Sequence, residues 1–408
     1  MRPFVLLFFL FLAGCAAQQA LPPLADNPSI KPPAAVNPVL INQELKFPTK
    51  PQEAPAKTAP MKISPEAAQA IITAGWTRSI KTWLPNKAAD KDGWAQDIYQ
   101  AFYTQKINLN KENVCAAIAV INQESSFQVE PIIPGLPQIV KKELNTRREK
   151  YHVPEWVLEK ALNTTSPDGK TYAQRIKALK TENDINRLFD DMASELPLGK
   201  QLLDGHNPVH TGGPMQVSLK FAEDTIKETP YPFPIKKSLR DELFSRRGGV
   251  YFGVAHLLNY STKYDQIKYR FADFNSGQYA SRNAAFQSIV LKLTNQRLDL
   301  DGDLRAYKDG KPEVSELEHA LWNISATLQM SPEEIGRDLR LEKSKDFEET
   351  ALYKNVYRLA KQKNLNAPYA LIPSIKLHSP KITRKLTTEW FANRVGEHYQ
   401  ACLATGAY

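Results

Sequence analysis

A mostly α-helical fold is what this sequence predicts, and three observations predict it. Apolar residues recur three and four positions apart along most of the chain beyond residue 64. Residues that cap helices, Ser64 and Asn110 among them, stand immediately before such runs. Alternating runs of the kind a half-buried strand needs are scarce, and there is no internal repeat. At roughly 150 residues per domain, the 408 residues allow two or three domains, or one large domain with tails.

The chain opens with a positive residue, Arg2, and an apolar run from Phe4 to Ala13. A membrane-spanning helix needs about twenty such residues, so this run reads as the core of a signal peptide over residues 1–14. Leu12, Ala13, Gly14 and Cys15 resemble the bacterial lipoprotein lipobox. The resemblance implies cleavage before Cys15 and lipidation of that residue. Ala16 in place of Asp implies an outer-membrane anchor facing the periplasm.

Residues 16–65 hold eleven of the 29 prolines and show no helical or alternating period. The stretch 15–63 therefore reads as a lipidated Cys followed by a Pro-rich tether, extended at about 3.1 Å per residue. The alternative is a partly ordered arm docked through residues 39–47.

Ser64, Pro65 and Glu66 supply a cap, a first-turn proline and an acidic first turn. Trp94, Ile98 and Phe102 repeat at four-residue spacing, and after Asn110 the residues Val114, Ile118 and Ile121 form one apolar stripe. Further helical patterns cover 138–162, 172–193, 218–228, 238–262, 281–294, 313–328, 331–342, 346–364 and 383–403. The expected organisation is a domain over 64–295 and a helical C-terminal region over 296–408.

Three cysteines exclude a disulfide-dense scaffold and a Cys-rich zinc array. With Cys15 lipidated, Cys115 and Cys402 remain, either bridged in an oxidising compartment or buried as free thiols. No metal is expected. HExxH is absent, and in the pair His206 and His210 the intervening Pro208 opposes a shared helical face. Residues 298–310 are rich in Asp, but Leu304 stands where a calcium loop needs Gly, so they read as a solvated turn. The net charge of +9 suits carboxylate-bearing peptidoglycan; nucleic acid is not an expected partner of an exported lipoprotein. No glycine motif for a nucleotide cofactor is present, and no cofactor is expected.

Three short stretches carry the chemistry. Glu124, in Glu124-Ser125-Ser126-Phe127, continues the apolar stripe and lies near the C-terminal end of its helix. Both burial and the negative end of the helix dipole favour a protonated carboxyl, as a general acid requires. The second stretch is Gly212-Gly213-Pro214-Met215-Gln216-Val217, with glycines that permit close backbone approach ahead of a helix. The third is Asp273-Phe274-Asn275-Ser276-Gly277 between two apolar runs.

In this order the three stretches resemble the soluble-lytic-transglycosylase group of the lysozyme superfamily. That group has Glu-Ser-x-Phe, Gly-Leu-Met-Gln and Ala-Tyr-Asn-x-Gly, matched here by Glu124, Ser125, Phe127, Gly213, Met215, Gln216, Asn275 and Gly277. Residues 249–258 also resemble the family helix between the second and third motifs. The resemblance covers roughly residues 90–295. It implies a lysozyme-like helical domain, with the C-terminal region as an extension.

The activity it implies is cleavage of the β-1,4 bond between N-acetylmuramic acid and N-acetylglucosamine in peptidoglycan strands, leaving 1,6-anhydromuramyl ends. Glu124 acts as acid and then base, Ser125 orients it, and Met215, Gln216 and Asn275 contact glycan. The alternatives are a non-catalytic peptidoglycan-binding lipoprotein and a muramidase, for which Asp204 or Asp273 is the available second carboxylate.

The departures are Pro214 for Leu, Phe274 for Tyr, and 91 residues between Glu124 and Met215, several times the usual spacing. Tyr269 or Tyr279 is the candidate replacement for the missing hydroxyl. The insertion over about 128–211 is charged and helical, suited to capping the cleft. The segment 387–399 only loosely resembles one that brings a late tyrosine to the site, and no role is transferred to Tyr399.

Overall fold

The computed structural model describes residues 64–195, 207–308, 311–377 and 386–406. The signal peptide, Cys15, the tether, Asp204 and His206 lie outside the described residues. The chain divides into two compact units, 22–75 and 1–21 with 76–408. The described part of the first, 64–75, opens helix α1 (Pro65–Trp83), whose first turn is capped by Ser64 Oγ accepting from the Ala67 N–H at 3.2 Å.

The fold is mostly α, as expected. After α1 come α2 (Lys91–Thr104) and α3 (Lys111–Ser125). The insertion follows as α4 (Leu136–Lys150), α5 (Glu155–Leu162), α6 (Tyr172–Ala178) and α7 (Glu182–Ser194). A two-residue hairpin, β1 (Thr211–Gly212) and β2 (Val217–Ser218), leads into α8 (Leu219–Glu228), α9 (Leu239–Phe244), α10 (Arg246–Leu258), α11 (Lys268–Ser276) and α12 (Ala280–Thr294).

Beyond these lie the antiparallel pair β3 (Ala306–Lys308) and β4 (Lys311–Glu313), then α13 (Glu316–Asn323), α14 (Ser325–Leu328), α15 (Pro332–Leu339) and α16 (Ala351–Gln362). The pair β5 (Lys376–Leu377) and β6 (Leu386–Thr387) ends in the last helix, α17 (Thr388–Ala404).

Several patterns read as single helices are split, and each break has a local cause. Pro154 precedes the first residue of α5, where a backbone N–H is not needed. Thr181 forms a capping box with Asp184 and so starts α7 afresh. Ser245 accepts from the Gly248 N–H at 3.0 Å and separates α9 from α10.

The described part of 76–408 has three apolar clusters. The first joins α2, α3 and α10 with α17, through Trp94, Phe102, Ile118, Phe252, Phe391 and Val395. The second joins α12 to the elements up to α16, around Phe286, Phe347 and Val356. The insertion carries its own small cluster, around Leu144, Ile176 and Phe189.

The expected division at 295 is therefore corrected at both ends. α12 packs its apolar residues into the second cluster, and α17 returns from the end of the chain to complete the first. The stripe expected on α3 is corrected too: every residue from Val114 to Ile121 is buried. The helix is surrounded rather than amphipathic, with Ala116, Ala117 and Ala119 allowing close approach.

Cys115 on α3 and Cys402 on α17 are bridged, with Cα atoms 5.5 Å apart. The Asp-rich turn is held by protein groups: Gln287 Nε2 donates to Asp301 at 2.8 Å, and the Leu304 N–H donates to Glu342 at 2.7 Å. Among the described residues no group of three or more His, Cys, Asp or Glu is placed to hold a metal, and no helix is long and apolar enough to cross a membrane.

Candidate active site

Glu124 occupies the last turn of α3, and the chain beyond it turns abruptly. Ser126 and Phe127 both have positive φ, 51° and 64°, a left-handed conformation costly for residues with a Cβ. The Phe127 ring, packed edge-on against Trp94 at 5.2 Å, anchors this turn.

The Gly-rich stretch forms the turn of the β1–β2 hairpin, in which Thr211 pairs with Ser218 and Gly212 with Val217. It lies close against the end of α9 and the start of α10. Gly213 has φ +74°, and a Cβ there would stand 2.2 Å from the Leu243 carbonyl. A Cβ on Gly253 would meet the Met215 sulfur at 2.3 Å, so glycine is what lets the hairpin seat. Gln216 follows with φ 52°; its side chain accepts from Thr211 Oγ1 at 3.2 Å and donates to the Gly213 carbonyl at 3.1 Å.

The third stretch is the end of α11. Asn275 Oδ1 accepts from Thr388 Oγ1 at 3.0 Å, which fixes the amide against the first turn of α17. Gly277, at φ +107°, terminates the helix in a conformation only glycine adopts freely.

These elements enclose a cavity of about 330 Å³. Glu124, Gln216 and Asn275, distant in sequence, all line it, together with Gln123, Thr211, Ser218, His256, Phe274, Trp390 and Phe391. Glu124 is half-buried by surface exposure yet densely enclosed, and its proton affinity is pushed up to about 8. Burial is the larger cause and the negative charge of Glu182 the second.

His256 is drawn down to about 4, because burial outweighs its hydrogen bond to the Phe274 carbonyl, and it is neutral near pH 7. Its Nε2 lies 3.3 Å from that carbonyl oxygen, which only accepts, so the proton sits on Nε2. Nδ1 is then a buried acceptor with no hydrogen-bond partner among the described residues, as is Gln123 Oε1.

Two expected site residues are not brought in. Met215 is fully buried between the hairpin and α10 and does not line the cavity; the close seat against Gly253 turns it into the core. Ser125 is buried, and its hydroxyl donates to the Ile121 carbonyl at 2.9 Å within its own helix rather than to Glu124.

Asp273 is corrected as a second carboxylate. It is wholly buried and accepts from Tyr260, Tyr264 and the backbone N–H groups of Tyr279 and Ser281, thereby holding the start of α12. Tyr269 and Tyr279 lie outside the cavity, Tyr279 packing on Tyr260 and Arg282. Tyr399 packs on Phe271 in the core.

Sequence reasoning missed His256, Trp390 and Phe391 in the cavity wall, and the electrostatic influence of Glu182 on Glu124. For His256 a signal existed: Gly249, Gly253 and His256 follow one another at helical spacing along the face that the hairpin covers. Nothing local marked Glu182, which comes from the insertion.

A family model described as "Protein of unknown function (DUF1615)" matches residues 87–405. The protein YaiW of Escherichia coli (strain K12), described as uncharacterized, is 46% identical over 325 residues, covering 79% of this chain and 88% of YaiW. No solved structure matches the chain.

Proposed function

The chain belongs to the DUF1615 family, and from the geometry of its cavity we propose that it is a peptidoglycan lytic transglycosylase, lipid-anchored at Cys15 to the outer membrane and facing the periplasm. The observation that carries this reading is Glu124, held protonated near neutral pH in a cavity it shares with Gln216 and Asn275. The motif resemblance gives those same three residues to a lysozyme-like site.

Glu124 first protonates the glycosidic oxygen between N-acetylmuramic acid and N-acetylglucosamine. It then takes the proton of the muramyl C6 hydroxyl as that oxygen closes on C1. One carboxyl serves both steps, and an acid near pH 8 remains protonated for the first. The cavity wall is otherwise neutral. Its polar lining, Gln123, Thr211, Gln216, Ser218 and Asn275, suits a ligand rich in hydroxyl and amide groups. Trp390 and Phe391 supply apolar faces for a sugar ring. Phe274 offers no hydroxyl, so substrate contacts at that point fall to Asn275 and Gln216.

The test is release of anhydromuropeptides from purified peptidoglycan by the wild type and by Glu124→Gln. The wild type is expected to release them, and the variant to lose at least about 100-fold in rate, the scale of a missing general acid. Equal release by both proteins would end the reading.

Reducing rather than anhydro ends on the product would select hydrolysis by a muramidase instead.

A further inference from the structure

A second cavity, of about 810 Å³, adjoins the first without sharing a lining residue. Its volume falls within the roughly 300–1,000 Å³ of small-molecule sites. Two stretches of backbone run from one cavity to the other. On α10, His256 lines the first, while Leu258, Asn259 and Tyr260 line the second. After α11, Ser276 and Gly277 line the first, while Gln278 and Tyr279 line the second. Gln278 Nε2 donates to the His256 carbonyl at 2.9 Å, which ties the two stretches into one partition.

Beyond that partition the second cavity is basic. Lys106 lines it from the exit of α2, Arg270 from α11, and Lys343 and Lys345 from the segment between α15 and α16, against one acid, Glu228. Lys343 lies 3.7 Å from Asp303. Lys106, Arg270 and Lys345 form no ion pair among the described residues.

Arg270 is the fixed member of this set. Its guanidinium donates to the Leu257 carbonyl at 3.2 Å, the Tyr260 carbonyl at 3.0 Å and Thr262 Oγ1 at 3.2 Å, and it lies over the Tyr260 ring. These acceptors are neutral, so they hold the guanidinium in place without cancelling its charge. Its remaining N–H groups are free to meet a carboxylate in the planar geometry that arginine favours. Lys106 has φ 56° in the turn that ends α2, where the backbone alone favours glycine.

We propose that this second cavity binds the peptide stem of a peptidoglycan strand whose glycan occupies the first, recognising it as a short peptide with several carboxylates and one free amine. This rests on the reading of the first cavity as a glycan site. The carboxylates pair with Arg270, Lys106 and Lys345, and the amine with Glu228. The stem is joined to the muramyl ring through its lactyl group, so a ring beside Glu124 brings carboxylates to the neighbouring cavity. The uncharged sugars do not account for a basic cavity beside their own; the stem does.

The test is calorimetric titration of the whole protein with the N-acetylated tripeptide L-alanyl-γ-D-glutamyl-diaminopimelate, which has three carboxylates and one amine. A dissociation constant of about 1 mM or tighter is expected, as a few partly exposed ion pairs allow. The same peptide with its carboxylates amidated, and inorganic phosphate at equal ionic strength, are each expected to bind at least about tenfold more weakly. Arg270→Gln is expected to weaken the peptide by a similar factor, but Arg270 also holds the exit of α10. The variant Lys106→Glu, Lys345→Glu changes two exposed side chains instead. It is expected to keep the wild-type melting temperature and to bind the peptide at least about tenfold more weakly. Unchanged affinity in that variant, equal binding of the amidated peptide or of phosphate, or no peptide binding up to about 10 mM, overturns the proposal.

Release of anhydro product is the separate readout. The double variant is expected to keep the wild-type kcat with a raised KM on intact strands, and to match the wild type on strands stripped of their stems. An equal loss on both kinds of strand overturns the proposal. Should the wild type release no anhydro product from any strand, the reading of the first cavity fails, while the calorimetry still decides what the second one holds.

Discussion

Glu124 carries opposing demands on stability and chemistry. Its carboxyl ionises near 4.5 in an unfolded chain and at about 8 in the fold. The native state therefore holds that proton more tightly. The stability this provides is complete below about 4.5 and is lost as pH rises toward about 8. Glu124→Gln has no such proton to lose. The difference in denaturant midpoint between variant and wild type is expected to move in the variant's favour from pH 4 to pH 8. A difference that is flat with pH would show that Glu124 ionises in the fold as easily as in the unfolded chain. The substitution expected to abolish the proposed activity is thus also expected to stabilise the protein at alkaline pH, the usual relation between a strained site and its host.

Two helices hold the two walls of the cavity together. α3 carries Gln123 and Glu124, α17 carries Trp390 and Phe391, and the Cys115–Cys402 bridge joins them across 287 residues of sequence. Such a long closed loop places the stabilisation at the upper part of roughly 2–5 kcal/mol. Reductant is expected to lower the melting temperature of the wild type and to leave a Cys115→Ser, Cys402→Ser variant unmoved. A wild type insensitive to reductant after full thiol exposure would contradict that role.

At this scale the sequence was legible where capping is local. Asn110 starts α3 by accepting from the Asn113 N–H at 2.7 Å, as its residue type implies. It was less legible where tertiary packing decides. α3 is buried on all sides because α17 covers the face that an amphipathic reading leaves to solvent, and no local pattern announces a helix that arrives from so far along the chain.

For the whole molecule, the lesson is that sequential domains do not describe it. The first apolar cluster takes its wall from α17, and the helix expected to close the first domain, α12, belongs to the second cluster. Arg282 marks the seam. It is almost fully buried, bonds to the Ser344 carbonyl at 2.8 Å and to the Glu342 carbonyl, and packs on the Tyr279 and Phe347 rings. A chain cut after Asn295 is expected to lose cooperative thermal unfolding, since it lacks Phe391, Val395 and the partner of Cys115. A sharp transition and native far-ultraviolet spectrum from that fragment would restore the simpler division.

The candidate site was legible to the same extent. Glu124, Gln216 and Asn275 could be matched one motif at a time. Met215 and Ser125 were misplaced because motif spacing does not say which way a side chain turns. Glu182 was invisible because electrostatic neighbours need have no sequence relation at all.

The bridge also has a consequence in time. Cys115 and its helix are synthesised long before Cys402, and the wall bearing Trp390 and Phe391 comes into being only with that last helix. Until then α3, apolar on every side, has no cover on one face, and the acid has no enclosed chamber. The contacts that close the chamber are among the most non-local in the chain, which makes its formation a late and slow event. A nascent molecule thus goes through its making without a closed cavity, and one covalent bond records that the making is finished.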